Sequence, residues 1–211
     1  MRVAVINEVS SADKNPAIMA GLEGRGLSII NAGMKSKSQE PQLLYTHTGF
    51  MSALLIHLDI VDLVVGGCGT GQGYLNSVMQ YPGMFCGHLL SPLDALLFAR
   101  INSGNCVSLA LNQGYGWAGE LNIQFILDKL FTGEWGSGYP AERREPQKES
   151  REALKAISAA THKDFSQIIL TLPDSIVLPS LKYLAAQGLV DLESSGKDEI
   201  KHAARARLGR A

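Results

Sequence analysis

The chain has 211 residues, a formal net charge of −1, and a composition that is 45% hydrophobic and 18% charged. This length suits one domain with an appendage, and it can bury a sizeable core without disulfides or metals. The near-neutral charge gives no electrostatic basis for binding nucleic acid or an anionic membrane. No uninterrupted apolar run reaches the ~18 residues of a membrane span, so we expect an ordinary globular protein that binds neither.

The cysteines and the two ends of the chain indicate the cellular setting. Cys68, Cys86 and Cys106 have no framework spacing, which predicts reduced thiols in a cytoplasmic protein. The chain passes from Met1 directly into a strand-like run, so we expect no signal peptide. We interpret the basic tail as a solvated, frayed terminus. Its basic residues are Lys201, His202, Arg205, Arg207 and Arg210.

Residues 3–130 alternate between apolar runs of strand length and helical patterns. In chain order, the predicted elements are a strand at 3–6, a helix that Asn15 caps and Pro16 opens, a strand at 27–30, a helix at about 48–58, a strand at 60–65, a short helix in or after 66–73, a strand at 85–89, a helix at about 92–101, a strand at 106–111 and a helix at 117–130. This alternation predicts a five-stranded, doubly wound (Rossmann-like) parallel sheet with helices on both faces.

The composition changes after residue 133. Glycines and prolines between 133 and 146 predict an irregular linker, and helical patterns follow at 150–161 and 178–186. We therefore divide the chain into an α/β domain at 1–150 and a helical C-terminal extension at 151–211. The extension is interpreted as an oligomerisation arm or a small cap.

The loop at 66–73, with the sequence GGCGTGQG, carries the strongest functional signal. Ligands of parallel sheets bind beyond the carboxyl ends of the strands, and this loop follows the third predicted strand. Its glycine spacing fits neither the dinucleotide fingerprint nor the ATP-binding loop. Backbone amides of Gly69, Gly71 and Gly73 could instead surround a small anion or an oxyanion. The alternative is a tight turn without a ligand.

Cys68 lies inside this glycine loop. Surrounding amides favour the thiolate, which can remove a proton from a carbon next to a carbonyl. The same amides could then stabilise the enediolate oxygen. Cys68 is therefore the candidate catalytic base.

The segment from Cys68 to Gly73 resembles the Cys-Gly-Thr-Gly-x-Gly motif of type B ribose-5-phosphate isomerases and galactose-6-phosphate isomerase subunits. The resemblance covers about residues 1–150. It implies an aldose–ketose isomerase for a small sugar or sugar phosphate (a pentose, tetrose or hexose), with a cis-enediolate intermediate. It also implies a homodimer or homotetramer in which neighbouring subunits complete each site.

The resemblance also implies roles for individual residues. Thr70 assists opening of the sugar ring, and His47, in a retained Tyr-x-His, is a ring-opening or substrate contact; its alternative is a capping or core histidine. Asn102 hydrogen-bonds the enediolate, although Ile101 replaces the family's histidine, or it is a turn asparagine. Glu8 stands where the family has an aspartate that binds hydroxyls.

Phosphate binding is the part of the pattern from which this chain departs most. The stretch 112–115 lacks the family's arginine, whereas Arg143 and Arg144 lie near a second basic position of the family. Either arginine could clamp a phosphate, or both could belong to a charged linker. These departures suggest a changed substrate, either another sugar phosphate or an unphosphorylated sugar.

No cofactor is expected, because the five histidines show no metal-ligand spacing. Two other functions remain open. Cys68 could be a covalent nucleophile, for instance in hydrolysis, or the chain could be a non-catalytic sugar or anion-binding protein on an isomerase fold.

Overall fold

The computed structural model describes residues 1–194 and 196–209, and its centre is an all-parallel five-stranded sheet. The strands lie in the order β2-β1-β3-β5-β4. They are β1 (Arg2–Asn7), β2 (Ser28–Asn31), β3 (Leu63–Cys68), β4 (Cys86–Leu89) and β5 (Cys106–Ala110). The central strands are apolar on both faces, as parallel strands covered by helices must be. The predicted α/β fold is confirmed.

Nine α-helices connect the strands or follow them in the described part of the chain. They are α1 (Asn15–Leu22), α2 (Tyr45–His57), α3 (Gln72–Val78), α4 (Pro92–Leu97), α5 (Gly119–Leu130), α6 (Arg144–Thr161), α7 (Phe165–Thr171), α8 (Asp174–Ala186) and α9 (Asp198–Leu208). Short 3₁₀ helices occupy Val9–Lys14 and Ala141–Arg143, and a π-helical turn, Phe98–Asn102, continues α4.

Two apolar cores lie on opposite faces of the sheet. Helices α1, α4 and α5 cover one face, where Val3 and Val65 point. Helices α2 and α3 cover the other, where Ala4 and Val64 point, and α7, α8 and α9 extend that core outward. The C-terminal helices are therefore part of the packing around α2.

Several boundaries differ from those predicted. Strand β3 continues through Gly66 and Gly67 to Cys68, so the first glycines of the loop lie in the sheet. The predicted linker ends at Arg144, because α6 begins there and carries Pro146 in its first turn, where proline is tolerated. The division after residue 150 thus falls inside one helix. Asn15 does not cap α1, since its side-chain amide bonds Asn7 and Asn31 instead.

The prediction of a frayed basic terminus is wrong for the described residues. Lys201 and Arg207 are buried on α9. Arg207 donates to the carbonyl oxygens of Ile169 and Leu172 and pairs with Asp174, so it joins α9 to the end of α7 and the start of α8. Arg210 lies outside the described residues. No single helix among those described is long and apolar enough to span a membrane; α7 and α8 reach that length only as a pair bent by 114°.

Candidate active site

The candidate site lies where the strand order reverses, between the carboxyl ends of β1 and β3. Asn7 and Gly67 are register partners in these strands, so Glu8 and Cys68 follow them at the same edge of the sheet. Open parallel sheets bind ligands in the crevice at this switch point. The topology therefore brings together two of the residues that the sequence singled out, a carboxylate and a thiol.

The glycine loop is shaped by close packing on both sides. A side chain at Gly66 would collide with the ring of Tyr74 on α3, because its Cβ would lie 2.1 Å from Tyr74 Cζ. Gly71 has φ +74°, in the left-handed region that favours glycine. The N–H groups of Asn112 and Gln113 both donate to the carbonyl oxygen of Gly69, at 2.8 and 2.9 Å. The loop is thus joined to the segment that follows β5.

Cys68 is buried, with 5% of its surface exposed, and lies on the α2 face of the sheet. Beside it, the Cα of Gly69 faces Ser10 and Asn112. The Ser10 hydroxyl donates to Glu8, whose carboxylate is also buried. Asn112 Nδ2 donates to the Ser10 carbonyl oxygen at 3.0 Å. A thiol, a carboxylate, a hydroxyl and an amide therefore share one edge.

Thr70, Gly71 and Gly73 form the far side of this loop. The Thr70 hydroxyl accepts a hydrogen bond from the Gln72 N–H at 3.3 Å. The N–H of Gly71 donates to the Cys68 carbonyl oxygen at 3.3 Å, so this amide already has a partner. Gly73 lies beneath the ring of Tyr45.

Two residues that the sequence analysis did not single out contact the backbone of the loop from the sheet. His88 Nε2 lies 3.1 Å from the Thr70 carbonyl oxygen, and Ser108 Oγ donates to the Gly71 carbonyl oxygen at 2.6 Å. Both side chains come from the neighbouring strands β4 and β5. Their contacts fix the carbonyl groups of Thr70 and Gly71 on the side of the loop that faces these two strands. Both residues lie near the carboxyl ends of predicted strands, and this position could have identified them from the sequence as neighbours of the site.

His47 lies in the first turn of α2 and has both ring nitrogens in use. Nδ1 accepts a hydrogen bond from the Leu44 N–H at 2.9 Å, and Nε2 lies 2.9 Å from the Ser175 carbonyl oxygen. The ring is 9% exposed. These contacts join α2 to the start of α8.

Asn102, Arg143 and Arg144 lie far from Cys68 within one chain. Asn102 precedes the amino end of β5, whereas Cys68 ends β3, and five strand residues span roughly 16 Å. Asn102 and Arg144 line a cleft of about 720 Å³ between α6 and the π-helical turn; we call it the amino-edge cleft. Arg143 is exposed beside it. Arg144 pairs with Glu134 at 3.2 Å.

Cys68 lines neither the amino-edge cleft nor the smaller hollows of about 460 and 230 Å³. The described residues contain no cluster of three or more His, Cys, Asp or Glu side chains that could hold a metal ion. The chemistry-bearing residues are thus divided between the two edges of the sheet.

Comparison with known proteins shows the family of the chain. The family model for ribose/galactose isomerases matches residues 3–144. The chain belongs to this family of sugar isomerases, as the motif at Cys68 predicted. No curated protein sequence matches the chain.

Two solved structures resemble nearly the whole chain. A 4-deoxy-L-threo-5-hexosulose-uronate ketol-isomerase, solved with a tartrate, is 31% identical with a TM-score of 0.92, covering 99% of this chain and 100% of its own. A ribose-5-phosphate isomerase from Vibrio parahaemolyticus is 36% identical with a TM-score of 0.82, covering 98% and 92%. A ribose-5-phosphate isomerase from Thermotoga maritima is 20% identical with a TM-score of 0.57, covering 70% and 97%, and shares the fold.

Proposed function

We propose that the protein is an aldose–ketose isomerase that acts on a small sugar or sugar phosphate through a cis-enediolate. The observation that carries this proposal is the position of Cys68 at the switch point of the sheet, within a glycine loop and beside the buried carboxylate of Glu8. An isomerisation of this kind needs one base that moves a proton between neighbouring carbons, and no redox cofactor.

In the proposed mechanism the Cys68 thiolate removes the proton from C2 of the open-chain aldose. The electron pair of the C–H bond forms the C1–C2 double bond, and the carbonyl oxygen becomes an oxyanion. The proton of the C2 hydroxyl then passes to O1 of the cis-enediolate. The thiol returns the first proton to C1 as the electron pair left on O2 forms the C2 carbonyl, which yields the ketose. The N–H groups of Gly69 and Gly73 donate hydrogen bonds to the oxyanion. The N–H of Gly71 can do so only after it gives up its hydrogen bond to the Cys68 carbonyl oxygen. Losing one such donor typically costs about 10²–10³ in rate.

The remaining edge residues have supporting roles. Glu8 accepts hydrogen bonds from sugar hydroxyls, assisted by Ser10, because a buried carboxylate gains most from such donors. The exposed hydroxyl of Thr70 is placed on the rim of the loop and assists ring opening. For His47 the contacts favour a structural role, since both ring nitrogens are used between α2 and α8.

The charged end of the substrate is assigned to the amino-edge cleft of another copy. Arg144 in that cleft offers a bidentate donor for a phosphate or a carboxylate, and Asn102 offers an amide for the enediolate. Cys68 cannot meet these groups within its own chain. We therefore propose a homodimer or homotetramer with shared sites. A uronate belongs in the substrate panel because a uronate ketol-isomerase resembles the full length of this chain.

The proposal is tested by solvent exchange. The protein is incubated in D₂O with pentoses, tetroses, hexoses, their phosphates and a hexuronate, and deuterium at C1 and C2 is followed by NMR. The parent should exchange label with at least one sugar, and Cys68→Ala should lower the rate about 10²–10⁴-fold. Cys106→Ala, which removes a buried thiol from β5, should exchange like the parent. Exchange by Cys68→Ala at the parent rate contradicts the assignment of the base, and binding without exchange across the panel would indicate a non-catalytic protein.

A further inference from the structure

The proposed isomerisation moves two protons, and Cys68 carries only one of them, the carbon-bound proton that passes from C2 to C1. The second proton leaves the C2 hydroxyl and arrives at O1, because the aldehyde oxygen becomes a hydroxyl and the C2 hydroxyl becomes the new carbonyl. In a cis-enediolate O1 and O2 lie on the same side of the double bond, so one group that contacts both can carry this proton. A carboxylate suits the task, since it accepts a proton from one oxygen and donates it to the other.

Glu8 is the carboxylate next to Cys68. Ile6 and Gly66 are register partners in β1 and β3, and both belong to the face that α2 and α3 cover. The chain stays extended through Glu8, with φ −89° and ψ 176°. Because side chains two residues apart lie on the same face of a strand, Glu8 and Cys68 project side by side from that face. Neighbouring strands are about 4.8 Å apart, so one enediolate can contact both groups.

The burial of Glu8 requires a reason. Only 4% of its surface is exposed, and among the described residues no lysine, arginine or histidine forms an ion pair with it. The lysines that reach the 3₁₀ helix after Glu8, Lys14 and Lys37, pair with Asp13 instead. A carboxylate that is removed from water without a cationic partner destabilises the fold. Such groups are found where a protein uses their charge or their protonation.

The two carboxylate oxygens of Glu8 have different surroundings. Oε1 accepts a hydrogen bond from the Ser10 hydroxyl, whereas Oε2 accepts none from the described residues. Ser10 is held in turn by Asn112, whose Nδ2 donates to the Ser10 carbonyl oxygen. The Ser10 hydroxyl lies beside Gly69. One oxygen of the carboxylate is therefore held against the glycine loop, and the other is left for a substrate hydroxyl.

The other polar groups of the carboxyl edge suit this step less well. His47 uses both ring nitrogens between α2 and α8. His88 Nε2 lies 3.1 Å from the Thr70 carbonyl oxygen, on the side of the loop that faces β4. The hydroxyls of Ser10 and Thr70 can relay a proton but have no charge with which to attract it. Glu8 combines a negative charge with an oxygen that is free to contact a ligand.

We propose, on the basis of the proposed function, that Glu8 is a second catalytic residue that carries the proton from O2 to O1 of the enediolate. Oε2 of Glu8 takes the proton of the C2 hydroxyl, and the electron pair of that O–H bond stays on O2. The carboxylic acid then gives the proton to O1, which regenerates the carboxylate. The electron pair on O2 forms the C2 carbonyl as the Cys68 thiol protonates C1, so both groups end in the state in which they began.

The two proton transfers are separated by following label and product in one sample. The full chain is incubated in D₂O with each aldose of the panel above, beginning with ribose 5-phosphate. NMR measures deuterium at C2 of the remaining aldose and the amount of ketose. In Glu8→Gln the thiolate of Cys68 still forms the enediolate, which returns to aldose because the proton cannot pass from O2 to O1. Ketose formation should fall about 10²–10⁴-fold, while labelling of the aldose stays within about tenfold of the parent rate.

Two further variants distinguish proton transfer from a structural role. Glu8→Asp keeps the carboxylate and should form ketose about tenfold faster than Glu8→Gln, or more. The matched control is Asp13→Asn, which makes the same change in an exposed carboxylate of the 3₁₀ helix that follows Glu8. It should match the parent in both rates. The ratio of ketose to labelled aldose does not depend on how much of a variant is folded, because both products come from the same molecules.

The outcome of Glu8→Gln decides the proposal. Equal losses of labelling and of ketose would assign Glu8 to hydroxyl binding alone and overturn the proton transfer. Ketose formation at the parent rate would overturn it as well. If the parent gives neither label nor ketose with any sugar of the panel, the proposed function itself has failed, and the role of Glu8 fails with it.

Discussion

The two edges of the sheet differ in what they offer a substrate. The carboxyl edge places a buried thiol beside a carboxylate and a loop of amides, and Cys68 lines none of the three hollows described above. The amino edge has a cleft of about 720 Å³ that is lined by four basic residues, Arg144, Lys148, Arg151 and Lys155, and also by Cys86, Glu145 and Glu152. In the proposed function, each edge supplies half of the site: the carboxyl edge provides the proton chemistry, and the amino edge provides cations and space.

The largest effect should come from disturbing the loop at the carboxyl edge. In Gly71→Ala the new Cβ would lie 2.5 Å from His88 Nε2, at a residue with φ +74°. Either the loop or the His88 ring that supports it must move, and we expect this change to displace Cys68 and the amides proposed to support the oxyanion. We expect the isomerisation rate, measured by deuterium exchange, to fall about 10²–10³-fold.

Gly83→Ala separates this effect from backbone strain. Gly83 has φ +66° and nothing within 4 Å of an added Cβ, so it carries the same conformational cost, about 1–2 kcal/mol, without crowding. It should lose stability in urea unfolding while keeping the parent's rate. If Gly71→Ala keeps the parent's rate as well, the shape of the loop is not what organises the site.

A smaller effect is expected at the amino edge. Arg144→Ala removes a charge-assisted contact worth about 1.5–3 kcal/mol, so KM for a phosphorylated or carboxylated sugar should rise roughly 10- to 100-fold with little change in kcat. Neutral sugars should be unaffected. Arg143→Ala, which changes the exposed neighbour outside the cleft, decides which of the two arginines binds the anion. Equal KM values for the parent and Arg144→Ala would remove the amino edge from the site.

The sequence located the fold and the carboxyl edge well because both depend on local patterns. Apolar runs identified all five strands, and the motif at Cys68 identified the loop. Two helices were missed for physical reasons. Helix α7 has only seven residues, too few to show a period. Helix α9 buries the small side chains of Ala203 and Ala204 together with charged Arg207, so its pattern resembles a solvated tail.

Contacts between distant parts of the chain could not be predicted. Ser10 and Asn112 meet only because β1 and β5 flank β3, and His88 reaches Thr70 only because β4 lies next to β5. The separation of Asn102 from Cys68 likewise follows from the direction of the strands rather than from any spacing along the chain. The sequence could therefore name candidate site residues one by one, whereas their division between the two edges of the sheet could not be predicted from it.

His47 gives the smallest expected effect on activity and the sharpest test of where the carboxyl-edge site ends. His47→Ala leaves the Leu44 N–H and the Ser175 carbonyl oxygen without their bonds, which should lower the free energy of unfolding by about 1–3 kcal/mol. The exchange rate per folded molecule should stay at the parent value, since the ring joins α2 to α8. Urea unfolding and deuterium exchange on the same sample measure both quantities. A loss of rate with unchanged stability would instead indicate that His47 takes part in ring opening. The site would then extend along α2.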